Sequence, residues 1–409
     1  MKSNYRFIGD YIQKVEHRNR DLKITRLLGL SMTKEFRETT SNIVGTDMSV
    51  YRVMSKYQFA CDFMSPIRVN KLPVVLKLDD EPNLVSPAYP VFEIKDRNEL
   101  DPEYLMMWFR RTEFDRYAAF KCDAAIRGGY EWKDLCETQI PIPSITKQIE
   151  IVKEYNVIQN RIAINHQLIH KLEEAAQTIY KQWFVDFEFP DKNGRPYKSS
   201  GGEMVFNEEL QKEIPLGWVN GFLSMISKKI YSGGTPSTEV VEYWNGEFSW
   251  FSSGETGKKY IHNTERTITK EGIKHSTTKR VKKLSTVIAT AGQGKTRGQS
   301  ALLFNEVYIN QSVIAIEPLK VEYSFFIFLD INSRYDELRN DSDSQSIRGS
   351  INTNDIKGLK VVVPIEDVLV SFYETVSSFF EIINNKTLQN QKLSELKDLL
   401  LSKLATLDN

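Results

Sequence analysis

The chain has 409 residues, room for two or three domains at about 100–200 residues each. Apolar residues at 41% and charged residues at 26% exclude a disordered chain and place it among ordinary globular proteins. The 54 basic and 54 acidic residues cancel, which excludes a globally basic nucleic-acid binder and confines any such surface to a local patch. Cys61, Cys122 and Cys136 form no CxxC pair, so the expectation is reduced thiols in a cytoplasm rather than a disulfide framework or a zinc ribbon. Apolar runs such as residues 325–329 are far short of the roughly 20 residues of a membrane helix. The opening MKSNYRFIGDYIQ lacks the apolar stretch of a signal peptide. A cytoplasmic, multi-domain protein without membrane contact is expected.

Residues 1–143 read as a mixed domain of short strands and helices, with strand-like runs in YRVMSKYQFACDFM and SPAYPVFEI. Residues 144–189 follow as a long helix. Its apolar positions fall at strict 4–3 spacing from Ile151 through Tyr155, Ile158, Ile162 and Asn165 to Trp183. Ser144 or Thr146 is the expected cap, and the rod would be roughly 60 Å long at 1.5 Å per residue. Residues 190–217, rich in Gly, Pro, Ser and Lys, read as a linker. Residues 218–364 form a second mixed domain, with strand-like KLSTVIATAG and EVYINQSVIAIEP. Residues 365–409 form a second heptad helix along Phe372, Val376, Phe379, Ile383 and Lys386 to Leu404.

The order repeats, and so does part of the sequence. A shift of 221 positions aligns 126–180 with 347–401 without a gap, matching Ile126-Arg127-Gly128 with Ile347-Arg348-Gly349, Asp134 with Asp355 and Pro143 with Pro364. In both copies a strand-like run ending in Pro leads into a heptad helix. Two such seams pack as a coiled coil, and Asn165 and Lys386 fall at equivalent seam positions, where polar residues set register at a cost in stability. The predicted fold class is α/β (α+β): two mixed domains joined by two long antiparallel coiled-coil helices in a pseudo-twofold internal repeat.

Residues 256–299 carry Lys258, Lys259, Lys282, Lys283 and seven further basic residues against Glu265 and Glu271, a local excess suited to phosphates. The alternative is a solvated basic face. Groove-edge reading needs hydroxyl, amide or guanidinium groups. SGGTPST supplies Ser232 and Thr235 on a glycine-containing turn, and GQGKTRGQS supplies Lys295, Thr296 and Arg297. The first domain offers Lys34, Arg37, Lys56, Arg68, Tyr89 and Arg127, the last with its repeat partner Arg348. Trp183, Phe184 and Phe187 form an aromatic cluster at the end of the first helix, read either as a partner surface or as packing of domain on helix.

Three catalytic or metal readings are weaker. ATAGQGKT has Ala289 where a phosphate loop needs Gly. Asp80, Glu93 and Lys95 imitate a metal nuclease. His166 and His170 sit one helical turn apart without an HExxH pattern, the mark of helix-surface histidines rather than zinc ligands.

The stretch IYKQWFVDFEFPDKNGRPYKSSGGEMVFNEELQKEIPLGW resembles the central region of the specificity (S) subunit of type I restriction-modification systems. There a helix ends in Trp-Phe-x-x-Phe, and a Gly/Pro/Lys linker leads through Ile-Pro-x-Gly-Trp into the second target-recognition domain. SGGTPST, YWNGEFSW and VYINQSVIAIEP continue the match, and SPAYPVF is similar to the family's first-domain pattern. The second helix departs from it, ending LLLSKLATLDN without a second Trp-Phe signature. The resemblance implies a non-catalytic DNA-binding subunit that reads a bipartite, asymmetric target in double-stranded DNA. It also implies partners: two modification (methyltransferase) subunits and restriction subunits, which would hold S-adenosylmethionine, ATP and magnesium. Against this stand a coiled-coil scaffold that does not bind DNA specifically, and a nuclease.

Overall fold

The structure, a computed structural model, describes residues 5–39, 45–123, 129–292, 294–345 and 350–406. They divide into two units, residues 1–163 with 391–409, and residues 164–390. Each long helix begins in one unit and ends in the other. Among the described residues no helix is long and apolar enough to cross a membrane.

The first unit is built on a four-stranded antiparallel sheet in the order Ile12–Val15, Val91–Ile94, Phe59–Cys61, Val74–Leu76. The second unit repeats that order with Ser227–Ser232, Val313–Pro318, Thr286–Ala289 and Ser300–Leu303, and adds Tyr260–Ile261 in parallel at the far edge. Its inner strands are buried on both faces, which is why they read as continuous apolar runs rather than alternating ones. Ile288, Leu302, Ile314 and Ile316 point into a core shared with the helix Tyr323–Ser333. The alternate residues Val287, Ala301, Leu303 and Ala315 point to a second core under another four-stranded sheet, which contains Trp244–Phe251 and Val307–Ile309.

The duplication goes deeper than the aligned segment. In the first unit Ile8 N–H donates to Thr138 O at 2.8 Å, and in the second Leu223 N–H donates to Leu359 O at 2.8 Å. Lys95 N–H to Tyr11 O is matched by Leu319 N–H to Ile226 O. The repeated Asp134 and Asp355 are the third residues of two short helices, Trp132–Cys136 and Thr353–Lys357. Each carboxylate accepts the N–H of its helix's N-cap residue, Glu131 or Asn352, at 2.9 Å. In both copies the acid satisfies a helix-end donor.

The heptad helices span Ile145–Phe184 and Glu366–Lys403. Ser144 caps the first: its Oγ accepts Lys147 N–H at 3.4 Å, while Thr146 lies within the helix. Glu366 and Asp367 occupy the first turn of the second, where acids favour the helix dipole. The helices run antiparallel, with Ala176, Tyr180 and Trp183 against Phe372, Val376 and Phe380 in the second unit, and Ile151 and Tyr155 clustering with Leu401 and Leu404 in the first. Asn165 is 1% exposed and donates to Asn390 Oδ1 at 2.7 Å and Gln389 Oε1 at 3.0 Å. Its partners are thus residues it faces across the seam rather than its repeat counterpart Lys386, whose ammonium instead donates to Gln389.

The segment read as a linker holds structure of its own. Met204–Asn207 and Lys212–Pro215 form an antiparallel hairpin. The Phe189 ring stacks on Tyr197 at 4.4 Å and on Trp218 at 5.1 Å. Gly, Pro and Ser mark its turns, but its aromatic residues supply enough apolar surface to fold it down.

Candidate nucleic-acid interface

The basic stretch of the second unit separates into committed and available charges. Lys258 pairs with Glu255 at 3.1 Å and Glu265 at 3.2 Å. Lys259, held at a positive φ of 60°, pairs with Glu173 of the first long helix at 3.0 Å. Arg280 is bound by Glu306 at 2.7 Å. Lys282 and Lys283, just past the strand Lys279–Val281, are exposed.

Ser232 ends the strand Ser227–Ser232 and is exposed, and the Thr235 hydroxyl donates to Gln311 Oε1 at 2.6 Å. The two glycines between them serve the fold. A Cβ on Gly233 would lie 2.1 Å from Ile309 O, and one on Gly234 would lie 2.0 Å from Thr277 Oγ1. The close backbone approach expected from this turn is therefore to the protein's own strand.

The loop carrying Lys295, Thr296 and Arg297 joins two antiparallel strands, Thr286–Ala289 and Ser300–Leu303. A phosphate loop opens a helix, so this geometry disposes of the nucleotide reading. Gly294 at φ 65° and Gly298 at φ 84° supply the left-handed turns. Tyr335 Oη donates to Lys295 O at 2.8 Å and Arg339 Nη1 to Gly294 O at 2.5 Å, fixing the loop backbone while the Lys295 side chain stays exposed.

In the first unit Arg37 and Arg68 are exposed, Tyr89 is half-buried, and Lys56 pairs with Asp80 at 3.0 Å. Lys34 is a correction. Its side chain is 5% exposed, and its ammonium pairs with Asp115 at 2.8 Å and donates to Phe109 O. Burial pushes that ammonium below the ordinary lysine value, against the pull of Asp115. It is a core residue and cannot reach a duplex. Arg127 and Arg348 lie outside the described residues.

The aromatic cluster is the second correction. Trp183, Phe184 and Phe187 are 8%, 5% and 3% exposed, and Phe184 packs edge-on against Phe326 and Phe372, each at 4.8 Å. Packing has consumed the surface a partner would need. The nuclease imitation also dissolves: Glu93 accepts from Gln13 and Gln58, and Lys95 donates to the carbonyls of Gly9 and Asp10. His170 sits beside Glu174 on an exposed helix face. Among the described residues no three His, Cys, Asp or Glu side chains are grouped to hold a metal ion.

One basic feature escaped the sequence. A cleft of about 630 Å³ in the second unit is lined by Lys228, Lys229, Lys279, Arg280 and Lys357, together with Tyr231 and Glu317. The Tyr231 hydroxyl has one proton to donate and lies 2.5 Å from Glu317 Oε1 and 2.7 Å from Arg280 O, both acceptors. Burial raises the phenol above its ordinary value, and Glu317 raises it further. The adjacent lysines 228 and 229 were a visible signal, but Lys279 and Lys357 join them only in the fold.

A family model described as the type I restriction modification DNA specificity domain matches residues 215–397. The chain is 24% identical over 307 residues to the type I restriction enzyme MjaIX specificity subunit of Methanocaldococcus jannaschii, covering 74% of this chain and 68% of that one. It is 21% identical over 374 residues to the HindI specificity subunit of Haemophilus influenzae, covering 78% and 80%. The fold is similar to the crystal structure of a type I restriction-modification S subunit from M. genitalium. That match has a TM-score of 0.57 at 14% identity and covers 99% of this chain and 96% of the other.

Proposed function

We propose that the chain is a specificity subunit of a type I restriction-modification system, a non-catalytic protein that confers DNA sequence specificity, and that each of its two mixed domains reads one half of a split target. The observation that carries this reading is a duplicated frame with unlike surfaces. Matched backbone hydrogen bonds hold both copies, yet the second bears the glycine-rich loop and the lysine-lined cleft at places where the first has other residues. Unlike surfaces on like frames give two different half-sites, and so an asymmetric target in double-stranded DNA.

Repeated helices offer two similar docking surfaces, which suits two modification subunits, with restriction subunits joining the larger complex. On this reading S-adenosylmethionine, ATP and magnesium would be held by those partners. The setting is the cytoplasm. Replacing residues 1–143 with another recognition domain, then sequencing methylated adenines in a host that carries the partner subunits, should change one half of the target only. A change in both halves, or in neither, refutes the two-reader arrangement.

A further inference from the structure

The lysine-lined cleft of the second unit is not demanded by the fold. The matched bonds from Lys95 to Tyr11 and from Leu319 to Ile226 make Glu93 and Glu317 equivalent residues of the two copies. In the first copy Gln13 stands opposite Glu93 in regular register. In the second, Lys229 stands opposite Glu317, and a bulge between Ser227 and Lys229 inserts Lys228. At the 221-residue shift Lys357 takes the place of Cys136. The same frame therefore stands with glutamine and cysteine where the cleft has lysines, plus one inserted lysine. Bulges re-aim side chains, and this one brings two consecutive lysines to line one cleft.

The charges are also only partly compensated. Arg280 is held by Glu306, which leaves Glu317 as the one carboxylate among the lining residues against four lysines. Among the described residues Lys228, Lys229, Lys279 and Lys357 have no ion-pair partner. Crowding like charges destabilises a fold unless an anion offsets them. The cleft holds about 630 Å³, and lysine is a flexible point charge suited to phosphate. We propose that this cleft grips the phosphodiester backbone of the bound duplex, positioning the second recognition domain without reading bases. The proposal rests on the DNA reading above.

The test compares the full-length chain with its Lys228→Ala/Lys229→Ala/Lys357→Ala variant by fluorescence anisotropy. The two duplexes carry the target found by methylation mapping and a scrambled sequence, between 50 and 200 mM salt. A second variant, Lys229→Gln, uses the residue the first copy carries and guards against misfolding. The expected result is a salt slope reduced by about 0.9 for each phosphate no longer neutralised, with the ratio of target to scrambled affinity unchanged. An unchanged slope, or a changed ratio at constant slope, overturns the cleft assignment while the DNA reading survives. A wild-type chain that shows no preference for its mapped target overturns the DNA reading itself. Inorganic phosphate added alone separates the sources: lysine-dependent phosphate binding with an unaltered duplex slope makes the cleft a free-phosphate site and refutes the proposal.

Discussion

Replacing Lys34 by Met tests whether this residue belongs to the core or to the DNA surface. The substitution keeps most of the stem and removes the ammonium that lies 2.8 Å from Asp115 and donates to Phe109 O. Asp115 would retain the Leu72 N–H at 3.0 Å but lose its cation, in a place where its side chain is 11% exposed. Breaking a buried pair by removing one partner costs about 3–5 kcal/mol. At a urea slope of about 1–3 kcal/mol per molar, the unfolding midpoint of the first unit falls by about 1 M or more. The pH dependence has a definite sign. Burial holds the folded Lys34 below the ordinary value of 10.5, so between the two values the unfolded chain binds more protons. The wild type's share of stability from Lys34 therefore rises as pH climbs towards 10.5. Met does not titrate, so the gap between wild type and variant widens over that window. Duplex affinity and its salt slope should stay unchanged. A variant with wild-type stability and a reduced salt slope would refute the core assignment.

Lys282→Ala/Lys283→Ala should weaken binding to all duplexes alike, lowering the salt slope by about 0.9 for each phosphate released, whereas Arg297→Ala should relax one base pair by about 1–3 kcal/mol if its hydrogen bonding is bidentate. Binding assays on single-base variants of the target distinguish the two behaviours. Gly233→Ala places a methyl 2.1 Å from Ile309 O and should cost about 1–3 kcal/mol of stability in chemical denaturation; no loss would mean the turn does not pack there. Asn165→Leu strands Asn390 and Gln389 in the seam and should cost about 1–3 kcal/mol, while Asn165→Leu/Asn390→Leu should recover most of it in thermal melting. A double variant no better than the single one would show that the polar layer has other partners.

Periodicity made both long helices legible, because a 3–4 spacing of apolar residues is a local property that survives without knowledge of the partner. The duplication was legible for the same reason, since Asp134 and Asp355 each satisfy a bond three residues away on the chain. The aromatic-to-linker signature carried the resemblance to type I specificity subunits. Exposure is different: it depends on what covers a residue, and the cover comes from far along the chain. Lys34 looked like a surface lysine until Asp115, 81 positions on, buried it. Phe184 looked available until Phe326 and Phe372 closed over it. Lys258 and Lys259 counted towards a basic patch until Glu255, Glu265 and Glu173 neutralised them. Conversely, the cleft gathers lysines from positions 228 to 357, a grouping that no short window along the chain contains. Local pattern settled which elements form and how often. Only the packing of distant segments decided which charges face solvent, because desolvation and ion pairing are set by neighbours in space.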